Sequence, residues 1–115
     1  MFAITEEQLD GLRENSLRAF CEWLEPRVRA RFPDEVGEAG REALIERLEG
    51  EVAAARERGL RSHEQLERYA DLSFVLGPGF GDRLEWVGTI FEEAGTPGGR
   101  LARVEREAVF AAMEG

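Results

Sequence analysis

The stretch RYADLSFVLGPGFGD, Arg68 to Asp82, decides how the rest of the chain is read. Leu66, Tyr69, Ala70, Ser73 and Leu76 recur at three- and four-residue steps, the period of one helix face. Leu72, Phe74 and Val75 carry the apolar surface almost around the axis, leaving mainly Glu67, Arg68 and Asp71 polar. A helix apolar nearly all round is usually a buried one, so this segment is expected to be the centre of a helical bundle. The alternative is that one side of it, with Phe80 and Trp86, forms an exposed recognition patch. The glycines that follow suit positive φ in a tight turn between two helices, with Phe80 dropping back onto the core. They follow a helix rather than a strand and lack a GK[ST] ending or a spaced GxGxxG, so no phosphate loop is expected.

Working outward, Ser62-His-Glu-Gln65 is a capping box that starts this helix at about His63, and Gly77 stops it. Upstream, Leu44, Ile45, Leu48, Val52 and Ala55 mark a helix over 38–58 that ends at Gly59. Its outer face is expected to be solvated, with Glu42–Glu46 repulsive and Arg47–Glu51 attractive pairs. A second capping box, Thr5 to Gln8, precedes Leu9, Leu12, Ser16, Phe20, Trp23 and Leu24 on a helix over 5–31. Pro26 predicts a kink or short break there. RFPDEVGEAG, residues 31–40, reads as a connection. Downstream, Asp82 with Glu85 suggests a start for a helix over 83–94 carrying Leu84, Trp86, Val87, Ile90 and Phe91. Thr96 can cap, and Pro97 can begin, a last helix over 97–113 with Leu101, Val104, Ala108 and Ala111 on one stripe. No segment alternates with the period of a strand. The expectation is all-α: one domain spanning 1–115, a single compact bundle of about five helices.

Composition narrows the function. A chain of 115 residues suits one domain and can bury a core without staples. One cysteine excludes an internal disulfide, no secretory leader is evident at the start, and no apolar run is long enough to span a bilayer. A cytoplasmic protein without a membrane segment is expected. Fifteen cations, all Arg, against 24 carboxylates give a net charge of −9, which argues against binding a nucleic-acid backbone.

The residues offer little for catalysis. Most carboxylates fall on predicted outer faces, where nothing shifts their pKa. His63 is the only imidazole. With Glu67 one turn on it makes two metal ligands and lacks an evident third. Cys21 flanks an apolar stripe and Ser73 lies within one, neither in the sequence context of an activated nucleophile. No enzyme, cofactor or metal site is expected. Arg68 and Asp71, three apart on the central helix, read either as a surface ion pair or as ties to neighbouring helix ends or a partner. Phe110 and Met113 fall off the last helix's main stripe and either pack in cis or offer an apolar edge to another chain. Candidate partner-binding residues are therefore Arg68, Asp71, Phe80, Trp86, Phe110 and Met113.

Ile4, Thr5 and Gln8, then Arg68, Tyr69, Asp71 and Leu72, then Phe74, Gly77 and Phe80, and Trp86 in the next helix together resemble a signature. It is that of small uncharacterised all-helical bacterial proteins encoded near type VI secretion spike and effector genes. The similarity covers residues 4–95. It departs at GPGFGD, where those proteins have a more acidic turn, and at Pro26, and the terminal helix falls outside it. The resemblance implies a non-enzymatic adaptor or chaperone that holds a secreted effector or spike protein. An immunity protein that neutralises a toxin in the cytosol is the alternative, and an acidic surface suits a basic toxin. A structural subunit of a larger assembly, with homo-oligomerisation, is a further one.

Overall fold

The computed structural model describes residues 13–114, and side chains from Ser16 to Ala111. The Thr5–Gln8 capping box, Leu9 and Leu12 lie outside the described residues. Among the described residues seven helices follow one another: α1 Arg13–Arg31, α2 Pro33–Val36, α3 Arg41–Glu57, α4 His63–Leu76, α5 Phe80–Arg83, α6 Glu85–Glu92 and α7 Pro97–Glu114. No strand occurs among the described residues.

The all-α reading stands, and the count of about five helices is corrected to seven among the described residues. Both extra helices are single turns in segments read as connections. In α2, Pro33 presets helical φ at the first position, and Asp34 and Glu35 place negative charge at the dipole's positive end. In α5, Gly79 takes the left-handed conformation at φ 68°, which turns the chain so that Phe80 enters the core. Asp82 consequently lies inside α5 and caps nothing; the residue before α6 is Leu84.

α1 runs through Pro26 without a break. Cys21 and Leu24 before the proline and Val28 after it are all fully buried, so packing on both sides offsets the lost backbone bond. α1 lies along α3, α3 along α4, and α4 against α7, which in turn packs on α6. α3 contributes Leu44, Ile45, Leu48, Val52 and Ala55 to the core, and α4 contributes Leu66, Tyr69, Ala70, Leu72 and Phe74. α4 is thus the central helix, with one exception on its apolar girdle: Val75 is 49% exposed. Its capping box forms as read, Ser62 Oγ accepting from the Gln65 N–H at 3.1 Å and Gln65 Oε1 accepting from the Ser62 N–H at 3.4 Å. Thr96 Oγ1 likewise accepts from the Gly99 N–H at 3.0 Å at the start of α7.

Ion pairs cross these helix contacts. Glu67 accepts from Arg27 at 2.9 Å and lies 2.8 Å from Arg31, and Arg31 also donates to Asp71 at 2.7 Å, tying α1 to α4. Burial alone would raise the Glu67 carboxyl, but the bonds from Arg27 and Arg31 bring it below its ordinary value. Glu25, buried in α1, is clamped by Arg29 and Arg41, each at 2.7 Å.

Candidate functional site

Two regions of the second half of the chain combine aromatic and charged side chains, and they are built in opposite ways. The first is the glycine turn. Gly77 and Gly79 both have positive φ, 100° and 68°, so the turn needs them in place. α3 then reaches under it. Glu51 Oε2 accepts from the Gly79 N–H at 2.8 Å, and Arg47 donates to the Ser73 carbonyl at 2.7 Å while its guanidinium lies 4.0 Å from the Phe74 ring centroid. Arg58, just past the end of α3, donates to the Gly81 carbonyl at 2.8 Å and stacks 4.7 Å over Phe91. Arg83 donates to the Leu76 carbonyl across the turn. Phe80 is fully buried, 4.7 Å from Tyr69 centroid to centroid, and a Cβ on Gly81 would fall 2.4 Å from Tyr69 Oη.

Burial dominates the electrostatics of this region. It pushes the Glu51 carboxyl up, opposed by the Gly79 N–H and by Arg47. It also raises the Tyr69 phenol, opposed by the neighbouring Arg58, and lowers Arg47. These shifts arise in a closed, packed place. Above it, Pro78, Asp82 and Arg83 are exposed, and Arg83 is engaged by the Leu76 carbonyl.

The second region lies between α6 and α7. An open groove of about 820 Å³ is walled by Trp86 and Ile90 of α6 and by Phe110 and Ala111 of α7. Glu85, Glu93, Glu107 and Arg103 stand on its rim. The body of α7 is anchored by buried Leu101, Val104 and Ala108, whereas Val109 is 59% and Phe110 55% exposed. Arg103 lies 2.6 Å from Glu93, tying α7 to the residue just past the end of α6. Glu85 and Glu107 have no ion-pair partner among the described residues.

The six residues expected to meet a partner separate accordingly. Arg68 donates to Glu105 of α7, at 3.0 Å through Nε, and to Glu64 at 3.2 Å, while Asp71 is held by Arg31. Both tie α4 to neighbouring helices. Phe80 is core. Trp86 and Phe110, 24 residues apart, come together on the walls of one groove. The Met113 side chain lies outside the described residues.

Among the groups considered for chemistry, the His63 ring packs in a tilted arrangement 4.8 Å from Phe20, and its helix neighbour Glu67 is occupied by two arginines. No cluster of three metal-ligating side chains occurs among the described residues. Burial pushes the Cys21 thiol up to about 12, so it packs as an uncharged hydrophobe. Ser73 is fully buried, its hydroxyl donating to the Ala70 carbonyl at 2.7 Å.

Sequence reading missed Arg47, Glu51 and Arg58, having placed the first two on a solvated face as an attractive pair. Glu51 is only 6% exposed and serves the turn instead. The signal was present in the spacing: Glu51 falls between Leu48 and Ala55 on the same stripe of three- and four-residue steps. Compared with known proteins, the chain matches no family model, no curated protein and no solved structure.

Proposed function

We propose that this chain is a non-catalytic protein-binding module, an adaptor or chaperone that holds a secreted effector or spike protein of a type VI secretion system. The observation that carries the binding role is the α6/α7 groove, where a half-exposed Phe110 faces Trp86 across an open cleft. Large aromatics grouped on a concave surface with a charged rim are the usual anchors of protein interfaces. The link to secretion rests on the resemblance of residues 4–95, and a protein that only holds its cargo needs no reactive side chains.

Co-expression with the products of the neighbouring genes, followed by purification of the complex, tests this. A stoichiometric complex that Phe110→Asp abolishes is the expected result, and loss of effector secretion on deleting the gene is its counterpart in cells. The absence of any complex with neighbouring gene products overturns the adaptor role. The net charge of −9 favours one second reading, an immunity protein that covers a basic toxin. In that case the chain rescues cells expressing the toxin and leaves secretion unchanged.

A further inference from the structure

We infer that the α6/α7 groove receives a short basic amphipathic helix of the partner, two to three turns long, with apolar anchors at i, i+3 or i+4, and i+7. The inference rests on the reading of the chain as a protein-binding module and specifies what that module recognises.

The length comes from the walls. On α7 the lining runs from Arg103 to Ala111, which at 1.5 Å per residue is about 12 Å, or roughly two turns. On α6, Glu85, Trp86, Thr89 and Ile90 recur at helical spacing and form the matching ridge, with Glu93 just past its end. A cleft between two helices accepts a third by ridges-into-grooves packing, with the occupant's apolar face down.

The charge comes from the rim, where three carboxylates stand against one guanidinium. That guanidinium, Arg103, is engaged by Glu93, so Glu85 and Glu107 remain to attract cations flanking the apolar face. The same rim disfavours a second copy of this chain. A two-fold interface through the groove would bring the acidic rims of both copies together.

The test uses the full chain with Trp23→Phe, which leaves Trp86 as the reporter indole; Trp23 is 48% exposed, so the change is mild. Two helix-forming peptides of about 12 residues are titrated, identical in their apolar positions, one carrying Lys and Arg on its flanks and its twin carrying Glu. Saturable change in Trp86 emission with the basic peptide is expected, with the acidic twin at least about tenfold weaker. The difference should shrink in about 0.5 M salt. In Glu85→Lys/Glu107→Lys, with helicity confirmed by circular dichroism, the preference should reverse.

Equal binding of both peptides overturns the charge inference and leaves the groove as a docking surface. No saturable change with either overturns the groove as a docking site altogether. A concentration-dependent dimer that Phe110→Asp dissolves overturns the inference in favour of a second copy.

Discussion

The turn at 77–83 and the groove between α6 and α7 lie within a few residues of each other, and both are rich in aromatic and charged side chains. The turn is closed and the groove is open. The difference follows from what each backbone receives from its neighbours. Beneath the turn, α3 and its end supply Arg47, Glu51 and Arg58, whose polar atoms meet the carbonyls of Ser73 and Gly81 and the Gly79 amide. A backbone so supplied has its carbonyls and the Gly79 amide paired, although Tyr69 Oη and Arg47 Nε beneath it are buried without a hydrogen-bond partner among the described residues. At the groove, α7 carries Phe110 past Ala108, the last buried position among its described side chains, and no helix among the described residues covers it. Side chains of similar type thus serve stability in one place and are free to bind in the other.

Substitutions should separate the two regions by free energy. Phe80→Ala removes a fully buried ring and is expected to cost about 3–5 kcal/mol in urea denaturation. A loss under about 1 kcal/mol would mean that the turn is not part of the core. Gly81→Ala should cost about 1–3 kcal/mol, since its Cβ would meet Tyr69 Oη at 2.4 Å and both Tyr69 and the turn are held in place. Gly88→Ala on α6 is the control. Its Cβ meets nothing within 4 Å, so the helix should gain up to about 1 kcal/mol.

Glu51 gives a pH signature. Burial raises its folded-state pKa above the ordinary 4.5, so its contribution to stability is complete below that value. The contribution is then lost as pH rises through the raised one. Glu51→Gln removes this titration and keeps an acceptor for the Gly79 amide. The stability of the variant relative to the parent should therefore improve from about pH 4 to about pH 7, as thermal melts at the two values will show. A pH-independent difference would place Glu51 in water. The smallest effect is expected at the groove: Phe110→Ala should change stability by no more than about 0.5 kcal/mol while weakening partner binding.

Much of this architecture was legible in the sequence, for reasons that can be traced to particular residues. The Ser62–Gln65 box and the near-continuous apolar girdle of α4 act locally, so they announced a central helix with its start and stop. Thr96 and Pro97 did the same for α7. The one-turn helices α2 and α5 were not visible, because four residues are too few to show a period and Pro33 and Gly79 read equally well as turn residues. Pro26 suggested a break that tertiary packing of Cys21, Leu24 and Val28 prevents. Of the candidate residues, Trp86 and Phe110 could be named singly, but their meeting depends on how α7 folds back along α6. That pairing over 24 residues has no local signature. Arg68 and Asp71 showed their charge but not their partners, Glu105 and Arg31, which lie on other helices.

Amide hydrogen exchange of the chain, alone and with the basic amphipathic peptide, compares the two regions directly. Binding in the groove predicts added protection across residues 85–93 and 103–111 and no change at 77–83. Added protection confined to 77–83, or none at either wall of the groove, would contradict the assignment of the turn to stability and the groove to binding.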